Sequence, residues 1–229
     1  MIVVVCGMHR SGSTLVWQIA HELLEGDRRI RVLATQPTRQ MRLLALNPWR
    51  TYMWKVHYRE AIKATHFPDA GARYIFTFRD PRDVAASLVR KGRWVEGHPK
   101  RSPEQLAKIV RTELVGDRFW RKREHLWIGK YEAFSTDIPR LITDIAQFLG
   151  IRQVDEDDVA RIAAYVALDR QRERSTLARS QEKDLRSRIT TNHITDGRHG
   201  AWRETLTDEE VAAIEKVSHR WMLRNGYLP

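Results

Sequence analysis

The chain opens Met1-Ile2-Val3-Val4-Val5-Cys6-Gly7-Met8-His9-Arg10-Ser11-Gly12-Ser13-Thr14, and this stretch decides the fold. Met1 to Cys6 is a short, apolar, β-branched run that reads as a buried strand. Gly7 to Ser13 is a glycine-bearing loop. Beyond it Leu15, Val16, Ile19, Ala20, Leu23 and Leu24 recur at the spacing of one helix face, and Gly26 can end that helix. Strand, glycine loop, helix is the first unit of a parallel α/β sheet. Unpaired N–H groups at such a helix start converge on an anion, and the helix dipole adds attraction. The loop has the length of a P-loop, with Gly7 and Gly12 where that loop needs glycines. Ser13, however, stands where a nucleotide-hydrolysing loop carries its lysine. The cation lies inside the loop instead, as Arg10.

The rest of the composition fits one α/β domain. The chain has 229 residues, 42% of them apolar and 30% charged, which excludes a disordered or fibrous protein. Lys plus Arg is 40 against 29 Asp plus Glu, a net charge of +11 that points to an anionic partner. A single cysteine, Cys6, rules out an internal disulfide framework and any multi-cysteine metal site. No apolar run approaches the roughly 18 residues of a membrane span. The sequence starts directly in its first strand with no leader-like segment, so a cytoplasmic protein is expected.

Further strands are expected at Ile30 to Ala34, Tyr52 to His57, Tyr74 to Phe78 and Leu126 to Lys130, with Gln36 to Arg50 partly helical. A helix follows Pro81, its apolar face set by Val84, Ala85, Leu88 and Val89. Ser102-Pro103-Glu104-Gln105 reads as a capping box with proline at the first helical position. Helices are also expected from Asp137 to Leu149, stopped by Gly150, and from Asp157 to Leu168. The last helix opens at the capping box Thr207-Asp208-Glu209-Glu210 and ends at Gly226. Between them, Asp169 to Arg203 holds nine Lys or Arg, five Asp or Glu and few large apolar side chains, which predicts a lid-like segment.

Three motifs carry the chemistry. His9-Arg10-Ser11-Gly12-Ser13-Thr14 resembles the phosphosulfate-binding loop of sulfotransferases that use 3′-phosphoadenosine 5′-phosphosulfate (PAPS), departing at His9, where that family often has proline. Tyr74 to Leu88, with the turn Arg79-Asp80-Pro81, is similar to the family's 3′-phosphate segment. An arginine at a strand's carboxyl end grips a phosphate in bidentate fashion, and a serine eight residues on adds a hydroxyl donor. Asp196-Gly197-Arg198-His199-Gly200-Ala201-Trp202 resembles the family's Arg-Lys-Gly loop, with His199 in the lysine's place. The resemblance implies a single-domain α/β protein over residues 1–229: a three-layer, P-loop-like sulfotransferase fold with a parallel sheet flanked by helices. It also implies that Arg10, Ser11, Gly12, Ser13 and Thr14 hold the 5′-phosphosulfate, and that Arg79, Ser87, Arg198 and Gly200 hold the 3′-phosphate.

Trp54-Lys55-Val56-His57 looks like the family's Lys-Thr-His element, in which the histidine is the general base and the lysine contacts the transferred group. An imidazole of ordinary pKa, about 6.5, is mostly neutral at cytoplasmic pH and so suits the task. No Asp or Glu lies between Arg31 and Arg59, and Glu60 is the nearest fallback. The expected catalytic set is His57, Lys55 and Arg10, with no metal ion. Lys130-Tyr131-Glu132 resembles a largely structural element of the family. Arg90 to Arg101 stands where relatives place an acceptor-gating loop, and Trp94 is a candidate for the acceptor pocket.

Two rival classes remain at this level. A P-loop kinase or NTPase would need the missing lysine and an acid for Mg²⁺, for which Asp80 is the candidate. A nucleic-acid-binding module would need an uninterrupted basic patch, whereas many cations here sit beside acids, as in Asp169-Arg170 and Lys183-Asp184. The favoured partner is a small-molecule acceptor. Its identity and the oligomeric state are left open.

Overall fold

The opening run does form the central strand. In the computed structural model β1 (Ile2–Gly7) has Ile2, Val3, Val4, Val5 and Cys6 fully buried, as a strand covered on both faces must be. The structure describes residues 1–25, 30–32, 43–44, 47, 49–57, 67–92, 101–151, 153–177, 186–189 and 197–229. Elements are numbered here in chain order among these. After β1 come α1 (Ser13–Glu25), β2 (Ile30–Val32), β3 (Thr51–Lys55) and β4 (Ala72–Phe78). Then follow α2 (Pro81–Arg90), α3 (Pro103–Trp120), β5 (Leu126–Lys130), α4 (Tyr131–Phe134), α5 (Ile138–Leu149), α6 (Glu156–Val166), α7 (Leu168–Leu177), α8 (Trp202–Thr205) and α9 (Asp208–Arg224).

The five strands form one parallel sheet in the order β2-β3-β1-β4-β5. Alternate residues of β1 serve two cores. Ile2, Val4 and Cys6 pack with Val84 and Leu88 of α2, Leu106 and Val110 of α3, and Ile214 and Trp221 of α9. Val3 and Val5 pack with Val16 and Ile19 of α1, Leu141 and Ile145 of α5, and Ile162 of α6. Helix, sheet and helix therefore make three layers, as the sequence predicts. The chain leaves β1 on one side for β2 and β3 and on the other for β4 and β5. A switch point thus lies beside β1, and the loops after β1 and β4 open a crevice at the carboxyl ends of the strands.

The Thr207 box is present in full, and of the box expected at Ser102 the structure shows the serine half. Ser102 Oγ accepts from Gln105 N, both halves of the Thr207–Glu210 capping box form, and Gly150 ends α5 in the left-handed conformation. Several boundaries move. The strand expected at Tyr52 to His57 runs Thr51–Lys55, and the one expected at Tyr74 starts at Ala72. The helix expected to reach Leu168 breaks at Ala167, where ψ is 140°, and a separate helix continues to Leu177. The described parts of the expected lid are packed against the body. Gln171, Ser175, Ser187 and Ile189 are buried, and residues 186–189 lie on α1 through Trp17 Nε1 to Arg186 O (3.1 Å) and Gln18 Nε2 to Ser187 O (2.7 Å). Most of Gln36 to Arg50 and of Arg90 to Arg101, with Glu60, Trp94 and Asp196, lies outside the described residues.

Candidate active site

The loop between β1 and α1 is built for close approach. A Cβ on Gly7 would stand 2.4 Å from Thr77 Oγ1 and 2.6 Å from Thr77 O, so only glycine lets the end of β1 run this near β4. Ser11, fully buried, spends its hydroxyl on the same anchoring, at 2.6 Å from Met8 O and 2.7 Å from Thr77 Oγ1. Arg10 has φ +62° and Gly12 φ +83°. A non-glycine residue there costs of order 1 kcal/mol. Two contacts hold Arg10 in place: its Nε donates to Ser87 Oγ (2.8 Å), and its carbonyl accepts from Arg79 Nη1 (3.3 Å). Left-handed residues inside such a loop turn successive N–H groups toward one concavity, an anion nest.

That concavity belongs to a cavity of about 370 Å³, within the range of small-ligand sites. Arg10, Gly12, Ser13 and Thr14 line it from the loop, Arg79 and Ser87 from β4 and α2, and His57 from the end of β3. Lys55 donates from its Nζ to Thr14 Oγ1, beneath the loop. Burial, followed by the charges of Arg188, Arg10 and Lys91, pushes the Lys55 amine down to about 7. Cations gathered this closely favour an anion.

Arg79 is almost wholly buried. Its guanidinium donates to Arg198 O (2.5 Å), stands 3.5 Å from Asp83 and stacks 4.3 Å from the centre of the Tyr131 ring. Its Nε is a buried donor with no hydrogen-bond partner, an orphan that a phosphate oxygen would satisfy. Asp83 docks the loop before α8, accepting from Gly200 N (2.8 Å) and Trp202 N (3.1 Å). The Gly200 N–H expected to face the nucleotide is thus engaged by Asp83. The Arg198 side chain is exposed and paired with Glu204 (2.9 Å). His57 Nδ1 lies 3.3 Å from Gly7 O, and its ring stacks on His9 with centroids 4.3 Å apart.

Asp80 has a different task from metal binding. Its carboxylate caps α2 by accepting from Arg82 N (2.9 Å) and is gripped by the Arg82 guanidinium (2.7 Å), which also binds Glu215. Among the described residues one group of possible metal ligands lies together: His21, Glu22 and Glu25. Arg186 and Arg161 already hold Glu22, and Arg186 holds Glu25.

The profile of the Sulfotransferase domain matches residues 2–226. The chain belongs to the sulfotransferase family. Solved structures show the same fold for this sulfotransferase. Retinol dehydratase in complex with androsterone and inactive cofactor PAP (3′-phosphoadenosine 5′-phosphate) aligns with TM-score 0.64 and 17% identity, over 96% of this chain and 80% of the other. Retinol dehydratase with retinol and PAP gives 0.63 and 16%, over 96% and 81%. Mouse sulfotransferase SULT7A1 complexed with PAP gives 0.65 and 15%, over 96% and 83%. No curated protein sequence matches the chain.

Tyr131, Lys91 and His9 also line the cavity, and the sequence reading gave none of them a role in it. Tyr131, treated as structural, lines the cavity, stacks on Arg79 and donates from its hydroxyl to Gly197 O (3.1 Å). Lys91, at the C-cap of α2, brings another cation. His9 enters as the ring beneath His57, held by Glu113 from α3. Position 9 was marked by its departure from proline, Tyr131 by the Lys130-Tyr131-Glu132 element and Lys91 by its place in the Arg90 to Arg101 segment.

Proposed function

We propose that this sulfotransferase binds PAPS in the cavity and passes its sulfuryl group to a hydroxyl or amine of a small-molecule acceptor. One observation carries the reading: the loop after β1, the arginine after β4 and the histidine after β3 meet around a single cavity at the carboxyl ends of the strands. The similar structures that carry PAP support it, and so does the orphaned Nε of Arg79.

In this reading Arg10 and the backbone N–H groups of Gly12, Ser13 and Thr14 hold the 5′-phosphosulfate. Arg79 and Ser87 hold the 3′-phosphate, with Arg198 and Gly200 closing over it once Glu204 and Asp83 release them. His57 Nδ1 lies 3.3 Å from the carbonyl of Gly7, an acceptor, and in this reading Nδ1 carries the hydrogen while Nε2 keeps a lone pair for the acceptor's proton. As the acceptor oxygen bonds to sulfur, the bond from sulfur to the 5′-phosphate breaks and its electron pair leaves with PAP. Lys55 and Arg10 stabilise that developing charge, the largest demand of such a transfer. Their positive charge serves where a metal ion would otherwise be needed. The lone, buried Cys6 thiol suits a reducing cytoplasm.

The kinase reading fares worse on two positions. Ser13 offers no cation, and Asp80 is committed to capping α2 and to Arg82. A nucleic-acid surface is also disfavoured, since Arg82, Arg101, Arg121, Arg161 and Arg186 are each paired with acids. The test is single-turnover conversion of PAPS to PAP across a panel of phenols, alcohols and amines. We expect turnover that His57→Ala lowers at least 100-fold between pH 6 and 9. Wild-type turnover in His57→Ala would remove the base assignment, and a protein inert with PAPS but active with ATP and Mg²⁺ would remove the whole reading.

A further inference from the structure

The peptide unit after Arg79 is anchored by residues distant in the chain. β4 ends at Phe78 and α2 begins at Pro81, so Arg79 and Asp80 lie between the sheet ladder and the helix. The N–H of Asp80 belongs to the planar peptide that carries the Arg79 carbonyl. Anchoring it therefore fixes the direction in which Arg79 leaves its backbone. Glu132 supplies that anchor, its Oε1 accepting from Asp80 N at 3.2 Å. The residue before it, Tyr131, lays its ring 4.3 Å from the Arg79 guanidinium. Asp80 does not line the cavity, whereas Arg79 before it and Tyr131 before Glu132 both do.

Glu132 is in turn held by Tyr227. The Tyr227 hydroxyl donates to Glu132 Oε2 at 2.7 Å. Burial, followed by the charge of Glu132, raises that hydroxyl well above its ordinary range, so it stays a donor. The Tyr227 carbonyl accepts from Arg82 Nη2 (3.2 Å), and the same nitrogen grips the Asp80 carboxylate at 2.7 Å. One tyrosine thus reaches both sides of Asp80. The end of α9 dictates where it stands. Gly226, at φ +68°, turns the chain back, with Gly226 N bonded to Leu223 O and Tyr227 N to Met222 O. The returning ring packs parallel to Trp221 (centroids 5.8 Å apart) and meets Phe78, the last residue of β4, edge to face.

We propose that Glu132 and Tyr227 are positioning residues for Arg79, through which the turn after α9 sets the 3′-phosphate end of the cavity. The inference rests on the reading of Arg79 as a 3′-phosphate ligand. Calorimetric titration with PAP and with adenosine 5′-monophosphate tests it, because only PAP carries the phosphate that Arg79 would hold. The wild type should prefer PAP at least about tenfold. Tyr227→Phe should cut that preference about threefold, and Glu132→Ala should erase most of it, with the monophosphate's affinity within about twofold throughout. Glu132→Gln keeps an oxygen for Asp80 N and an amide for the Tyr227 oxygen, and it should retain most of the preference.

An unchanged preference for PAP in both Glu132→Ala and Tyr227→Phe would overturn the proposal. So would an equal loss of affinity for the two nucleotides, which is the mark of a merely structural role. If Glu132→Ala fails to fold by far-UV circular dichroism, Tyr227→Phe, which removes a single oxygen, decides. Arg79→Ala in the same series separates the two claims. If it erases a preference that the Glu132 and Tyr227 variants keep, the positioning role alone is lost. If the wild type shows no preference, or Arg79→Ala retains it, the assignment of Arg79 falls and the proposal falls with it.

Discussion

Lys55 gives a prediction whose size can be worked from the structure. With the amine at about 7 in the free site, about half of the Lys55 side chains are uncharged at pH 7 and about nine in ten at pH 8. A phosphosulfate or bisphosphate brought beside Thr14 restores the charge. Binding of PAP should therefore take up about 0.5 proton at pH 7 and about 0.9 at pH 8, and affinity should fall by up to about tenfold per pH unit above 7. The assay is calorimetric titration with PAP at pH 8 in two buffers of different ionisation enthalpy. At that pH the ligand's phosphates, with second pKa values near 6, contribute little. Lys55→Met should abolish most of the uptake. Stability moves the other way. An amine whose folded pKa is depressed costs stability at and below pH 7, because the unfolded chain holds the proton more tightly, and that cost fades as pH rises toward about 10.4. Lys55→Met should then raise the unfolding free energy at pH 6, by roughly 5 kcal/mol at most, and by little at pH 10. Zero proton uptake at pH 8, or equal uptake in Lys55→Met, would refute the reasoning.

Other changes test the frame around the cavity. Gly7→Ala places a Cβ 2.6 Å from the Thr77 carbonyl, which cannot move without parting β1 from β4, so a loss of about 3 kcal/mol is expected in urea unfolding. Gly12→Ala puts a Cβ 2.8 Å from Tyr131 and forces φ +83° on a residue with a side chain; PAP affinity should drop more than tenfold by calorimetry while the fold persists in far-UV circular dichroism. Asp83→Asn weakens the acceptor for Gly200 N and Trp202 N, and limited proteolysis near residues 197–201 should quicken severalfold. Trp221→Phe removes the 2.9 Å donor to the buried Asp117, and thermal unfolding should report a cost of about 1–2 kcal/mol.

What the sequence made legible was local. The β-branched run of β1, the glycines of the loop after it, the cap at Ser102, the box at Thr207 and the stop at Gly150 each depend on neighbours a few residues away, and each is found as expected. Arg10, Ser87, Arg79 and His57 were legible through motif order, and the sheet topology brings them to one cavity. What escaped was long-range. Glu113 looks like an ordinary charge on an amphipathic helix, and nothing near it announces a partner at His9. Asp83 reads as a first-turn acid of α2, whereas it docks residues 200–202. The basic stretch after Leu168 lacks apolar periodicity, yet Leu168–Leu177 is helical, and Trp17, Gln18 and Glu22 of α1 hold residues 186–187.

The most direct test of the central claim, a cavity for a nucleotide with a 3′-phosphate, compares PAP with adenosine 5′-monophosphate by calorimetry at pH 7. A charge-assisted bond to phosphate contributes about 1.5–3 kcal/mol, so PAP should bind at least about tenfold more tightly, and Arg79→Ala should erase the difference while leaving the monophosphate's affinity in place. Equal binding of the two nucleotides to the wild type, or a preference for PAP that survives Arg79→Ala, would contradict the account.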